Sequence, residues 1–290
     1  MADETKQPKM ARRYTSDRKP DGTIAINIVV PAIEIDKARE KVVDELVKQV
    51  EIQGFRKGAA PRNIAEEKLN PEKVKEELLK KVLTDEYVSA VKQLELKPIL
   101  NPRIHVDQFT EGTDLKFTAE TAEEPKIELK NYKEEVQKIK PAPKIIIPGK
   151  PETEAEPSKK LDEILAKILS TIQITIPKIL IEQETDRLLS QLLDELKRLG
   201  VSLDQYLSSR SKDTESIRAE YAERAEKDLR LEFVLRRIAD EEKITVEEID
   251  IKQALDAIKD EKEREQIAKN PYLVAAIIRQ QKTLDFLSKL

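Results

Sequence analysis

The chain has no cysteine and no tryptophan. The first absence excludes disulfides, thiolate nucleophiles and cysteine-ligated zinc. The single histidine, His105, leaves a Ser-His-Asp triad formally possible, but nothing else marks its partners. Aromatic residues make up only 4% of the 290 residues, and there are 6 glycines, none arranged as a phosphate-binding loop. No apolar run approaches the ~18 residues of a membrane span. Residues 1–22 lack the apolar centre of a signal peptide. A soluble cytoplasmic protein with no membrane partner is expected. An excess of one charge is also missing, with 53 basic residues against 57 acidic and a net charge of -4. That balance argues against a general nucleic-acid coat and leaves room for a local basic contact.

What is present is charge and aliphatic side chains: 38% charged residues beside 39% hydrophobic ones. Small cores of Ile, Leu and Val under long charged helices fit this balance. The length suffices for two domains of ordinary size. Residues 1–22 carry Lys9, Arg12, Arg13, Arg18 and Lys19 with few apolar neighbours, which predicts a mobile basic arm. In "TIAINIVV", Ile24, Ile26, Ile28 and Val30 alternate as on a strand. Pro31 closes it. Ile35, Ala38, Val42, Leu46 and Val50 then recur at helical spacing. Asn70-Pro71 opens a second long helix, with a stripe of Val74, Leu78, Val82, Val88 and Val91. Two strands follow, with Ile104 and Val106 sharing a face in the first, and Leu115, Phe117 and Ala119 in the second. His105 then points outward, as a surface histidine.

The order strand, helices, strand, strand predicts an α+β domain over residues 23–140. A small antiparallel sheet carries helices on one face and a helix–loop–helix tip. Residues 141–158 hold five prolines and read as a semi-stiff linker of up to ~55 Å at ~3.1 Å per residue. Residues 159–290 show helical stripes throughout, and "QITIP" is the one stretch with strand-like alternation. Gly200 marks a helix stop. Ser202 with Gln205, and Thr245 with Glu248, have the spacing of capping boxes. An all-α domain of long helices is expected there. Several helices double their apolar positions, as at Leu188-Leu189, Leu192-Leu193 and Ile277-Ile278. The second member of each pair lies ~100° round the helix. Either it reaches an exposed client-binding surface, or the helix packs on two sides and buries both. No acid/base pair stands out among the many carboxylates, so no catalytic, metal or cofactor site is expected.

The stretch "GFRKGAAP", residues 54–61, concentrates two glycines and a proline between the helical patterns. A turn needs Gly54 and Gly58, and Pro61 suits the first turn of the next helix. It does not need Phe55, Arg56 and Lys57 at its tip. The residues alone allow an ordinary interhelical turn with Phe55 in the core. They also allow a docking prong, with an aromatic anchor and two cations for acidic side chains or RNA phosphates, although on the residues alone the ordinary turn is the simpler reading.

This motif resembles the GFRxGxxP signature of trigger factor, a family of bacterial chaperones at the ribosomal tunnel exit. The resemblance extends over residues 23–290. It includes "EEPKIEL" as the exit segment, "ITIPKILIEQETDRLLSQL" opening a helical arm after Ile174-Thr175-Ile176-Pro177, and "KNPYLVAAIIRQQKTLDFL" as closing helices. It implies that Gly54, Phe55, Arg56, Lys57, Gly58 and Pro61 bind the ribosome, at protein and rRNA near the exit. It implies an ATP-independent chaperone that holds nascent or unfolded chains, and leaves a homodimer open. One departure matters. The family's FKBP-type prolyl-isomerase domain would stand where residues 141–158 are, and these are too few for it. Isomerase activity is therefore not expected. A helical scaffold or assembly factor that binds a folded partner away from the ribosome is the alternative, and an isomerase of a new kind is a further one.

Overall fold

The computed structural model describes residues 13–51, 55, 61–110, 112–139, 155–258 and 260–290. The chain divides into two compact units, residues 1–124 with 177–179, and residues 125–176 with 180–290.

The first unit contains β1 (Tyr14–Arg18), β2 (Thr23–Val30), α1 (Ala32–Val47), α2 (Arg62–Glu67), α3 (Pro71–Gln93), β3 (Arg103–Gln108) and β4 (Leu115–Ala122). The strands form one antiparallel sheet in the order β1-β2-β4-β3. The alternation in β2 sets its register. Ile24, Ile26, Ile28 and Val30 are all buried, and Ile26 and Ile28 lie opposite Ala119 and Phe117 of β4. Ile35, Val42 and Leu46 of α1 and Val74, Leu78, Val82 and Ala90 of α3 complete the same core. Asn70 caps α3 by accepting a hydrogen bond from the Glu72 N–H at 2.9 Å.

Two sequence expectations change in this unit. The arm over residues 1–22 is not uniformly loose, because residues 14–18 are the edge strand β1, paired with β2 from Tyr14↔Ile28 to Arg18↔Ile24. Only Tyr14 of this strand is buried, so its alternation carries no apolar signal. Residues 1–12 lie outside the described residues. The stripe on α3 also departs from its expected course. Val88 is exposed, and the inward row runs Val74, Leu78, Val82, Glu86, Ala90. Glu86 sits in that row as an acceptor. One carboxylate oxygen accepts from the Tyr14 hydroxyl at 2.8 Å and the other from Arg13, which also forks onto Glu34. Burial, then the hydrogen bond to Glu86, pushes the Tyr14 hydroxyl up to about 12.

Residues 177–179 cluster with this unit, at the β1–β2 turn. Gly22 has φ +88°, and a Cβ there would stand 3.3 Å from Pro177 Cγ. Asp21 accepts from the Thr23 hydroxyl at 2.8 Å and the Lys178 N–H at 3.0 Å. Burial raises the pKa of its carboxyl. Hydrogen bonds from the Thr23 hydroxyl, the Lys178 N–H and the Thr23 N–H outweigh that and hold it below the usual range.

The second unit is helical: α4 (Tyr132–Gln137), α5 (Ala155–Thr171), α6 (Lys178–Leu199, from Leu180 on), α7 (Leu203–Ser209), α8 (Thr214–Glu241), α9 (Glu248–Asp256), α10 (Glu261–Ala268) and α11 (Pro271–Ser288). The α+β unit therefore ends near Glu124 rather than at 140. The reason is packing, since Tyr132 and Val136 of α4 are buried with Ile164, Ile168, Val234, Ile238 and Leu287. The Tyr132 hydroxyl donates to Glu242 at 2.8 Å, and Lys133 holds the same carboxylate at 2.7 Å. The expected linker is also shorter at its far end, because α5 begins at Ala155. Pro157 falls in the first turn, where a missing N–H removes no helical hydrogen bond. Residues 141–154 lie outside the described residues.

Several punctuation marks read from the sequence are in place. Gly200 has φ +70°, and the Val201 N–H donates to the Leu196 carbonyl at 3.0 Å. Ser202 and Gln205 exchange both bonds of a capping box. The box expected at Thr245 and Glu248 is instead formed two residues on, where Asp250 accepts from the Glu247 N–H at 2.8 Å. "QITIP" joins α5 to α6 and is in no strand.

Candidate functional site

Two surfaces carry the candidate residues. The first lies between α1 and α2. The last turn of α1 closes with the Gln49 and Val50 N–H groups donating to the Leu46 carbonyl. Beyond it, Phe55 is 44% exposed. Pro61 caps α2, its carbonyl accepting from Ile64 and Ala65. Arg62 fixes the start of α2 through Asp44 of α1 at 3.2 Å and Glu66 at 2.8 Å. In a chain so poor in aromatics, a phenylalanine left half in solvent is unspent binding area. Gly54, Arg56, Lys57 and Gly58 lie outside the described residues.

The second surface lies on the helical unit. The doubled apolar pairs divide between interior and solvent. Leu188 and Leu192 are buried, and Leu192 packs with Leu196, Leu207 and Ile217. These two residues belong to the core and are not available to a client. Leu189 is half-buried against that cluster, whereas Leu193 is 48% exposed. On α11, Ile278 is half-buried and Ile277 is 58% exposed. The buried row of α11 is Val274, Thr283 and Leu287, with the Thr283 hydroxyl donating to the Arg279 carbonyl at 2.7 Å. Asn270 and Pro271 fix the first turn of α11, which leaves Tyr272 and Leu273 outside as well.

Leu273 and Ile277, one turn apart, line a cleft of about 480 Å³ between α6, α8 and α11, floored by Leu231 and Leu235 of α8. Its lining cations are already matched. Arg187 forks onto Glu184 at 2.8 and 2.5 Å, Arg236 meets Glu232 at 2.8 Å, and Arg279 meets Asp240 at 2.7 Å. The cleft therefore presents apolar side chains inside a rim of internally paired charge. Leu273 reads in the sequence as one more member of a core stripe. The signal that places it outside is the Asn-Pro start, which sets the phase of the helix.

His105 is exposed on β3, opposite Thr118. Among the described residues no group of three His, Cys, Asp or Glu side chains is placed to hold a metal ion. None of the described helices is long and apolar enough to cross a membrane.

Residues 13–146 match the family model described as bacterial trigger factor protein, and residues 151–289 match the one described as its C-terminus. Only residues 147–150 separate the two matches. The trigger factor of Staphylococcus carnosus is 34% identical over 119 residues, 41% of this chain and 27% of that protein. Those of Macrococcus caseolyticus and Natranaerobius thermophilus are each 37% identical, over 108 and 118 residues, covering 37% and 40% of this chain and 25% and 26% of theirs. The chain thus aligns with about a quarter of the length of these curated relatives. In fold, it is similar to a solved structure of the trigger factor chaperone, reported for promiscuous substrate recognition in folding and assembly activities. The TM-score is 0.59 at 17% identity, over 95% of this chain and 99% of that one. With two models of one family matching residues 13–146 and 151–289, the chain belongs to the trigger factor family.

Proposed function

We propose that the protein is an ATP-independent, cytoplasmic chaperone that docks on the ribosome near the tunnel exit and holds nascent or unfolded chains. The observation that carries this reading is Phe55, 44% exposed beyond α1 inside the family motif GFRKGAAP. An exposed aromatic flanked by Arg56 and Lys57 suits a mixed protein and rRNA surface, with the ring as anchor and the cations on phosphates. Holding is assigned to the helical unit, at Leu193, Leu273, Ile277 and their half-buried neighbours Leu189 and Ile278. Each aliphatic side chain that leaves water there gains about 1.5–3 kcal/mol. Several weak, undirected contacts of this kind give reversible binding, and release needs no nucleotide. Prolyl isomerisation forms no part of this reading, because the interval between the two family matches is four residues, 147–150.

The test is co-sedimentation of the full chain with ribosomes, wild type against a Phe55→Ala/Arg56→Ala/Lys57→Ala triple variant. The variant is expected to lose binding with helicity unchanged and to retain suppression of aggregation of an unfolded test protein. Equal binding by both proteins would move the ribosome contact off the tip, and binding by neither would favour a scaffold working away from the ribosome.

A further inference from the structure

The first unit has a pocket of its own, whose lining includes neither Phe55 nor any residue of the helical cleft. It measures about 240 Å³ and lies among α1, the end of α2, the start of α3 and the end of β3. Val43, Leu69, Val74, Leu78 and Phe109 form an apolar floor, all packed on the core of the unit. Lys75 stands over the Phe109 ring with its nitrogen 5.9 Å from the centroid. Small-molecule sites usually span ~300–1,000 Å³, so this pocket seats a single large side chain rather than a cofactor.

Its rim has a sign. The lining ionisable residues are Arg39, Lys75 and Glu66. Glu66 is engaged by Arg62 at 2.8 Å, which neutralises it. Arg39 and Lys75 are exposed and make no ion pair among the described residues. Two unmatched cations thus flank an apolar floor, whereas the helical cleft balances each of its lining arginines with a carboxylate of its own. Complementarity at such a rim selects partners by charge.

We propose that this pocket binds an extended peptide segment in which one large apolar side chain is flanked by carboxylates. The apolar side chain fills the floor against Phe109 and Leu78, and the flanking Asp or Glu residues pair with Arg39 and Lys75. The partner is a protein segment of acidic-apolar character, distinct from the uncharged apolar stretches that suit the helical cleft. With one anchor and two exposed ion pairs, binding is weak, fast and sensitive to salt.

Fluorescence anisotropy of the full chain with two labelled pentapeptides tests this, one alternating Asp with Leu and the other alternating Lys with Leu. The Asp peptide is expected to bind and the Lys peptide to bind at least ~10-fold more weakly, with the difference shrinking as salt rises. The R39E/K75E double variant, with an unchanged circular dichroism spectrum, is expected to lose the Asp peptide and gain the Lys peptide. Lys92→Glu, an exposed charge reversal at the far end of α3, is expected to leave both affinities unchanged. The gain by R39E/K75E keeps a folding defect from passing as success. Equal affinity for the two peptides, no binding of either, or a preference that survives charge reversal overturns the proposal.

Discussion

At the scale of single residues, adjacent leucines on one helix have opposite duties. Leu192 is buried in a cluster with Leu196, Leu207 and Ile217, and Leu193 next to it is 48% exposed. Leu192→Ala is expected to cost about 2–5 kcal/mol, because it removes buried methyl groups and leaves a cavity. Leu193→Ala is expected to stay within ~0.5 kcal/mol. Urea unfolding of the two variants checks this, and equal losses would mean that Leu193 is also core. The sequence showed the doubling and not its division. A helical repeat places two neighbours ~100° apart but does not say which of them meets the next helix. Glu86 was illegible for a related reason. A carboxylate in the inward row of α3 breaks an apolar pattern, and only the fold brings Arg13 and Tyr14 to it.

At the scale of elements, β1 and α4 were missed or misassigned because each has very few buried side chains. Tyr14 is the only buried residue of β1, and Tyr132 and Val136 are the only two of α4. Short elements of this kind are held by specific polar contacts more than by a stripe. For β1, deleting residues 1–18 removes the Tyr14 and Arg13 partners of Glu86 and opens the β2 edge. A loss of about 2 kcal/mol is expected, whereas deleting residues 1–12 is expected to keep these contacts. Thermal melts of the two truncations decide, and identical melting would remove β1 from the folded unit. For α4, Glu135 is held at about 2 by hydrogen bonds from Lys138 and Lys167. Its folded pKa lies below the ~4.3 of a free Glu, so its contribution is fully present above that value. It is lost as the pH falls from ~5 towards 2. Glu135→Gln is expected to flatten the acid limb of a stability–pH curve in that window, and a limb as steep as in the wild type would contradict it. The strands β2 and β4 were legible throughout, since alternate residues of each are buried on one face and strict alternation permits no other period.

At the scale of the whole molecule, the two tasks proposed for the chain rest on different surfaces, so they should separate. The Phe55, Arg56 and Lys57 substitutions touch residues outside the helical cleft and are expected to abolish ribosome binding while holding persists. Leu273→Asp with Ile277→Asp places two carboxylates in the cleft, where an apolar client side chain would have to desolvate them. That pair is expected to lose aggregation suppression and keep ribosome co-sedimentation. Both substituted positions are more than half exposed, so the fold should change little, and an unchanged melting temperature is the required control. A pair variant that melts normally and still suppresses aggregation would move holding elsewhere in the chain. The same preparations serve for the isomerase question. Trigger factor sequences recognisable at both ends here leave only residues 147–150 between the matches. A cis-to-trans prolyl assay with the pure wild-type protein is therefore expected to give no acceleration over the uncatalysed tens to hundreds of seconds. Turnover that titrates with protein concentration and vanishes in neither set of variants would instead place an isomerase site on a surface that neither motif nor cleft describes.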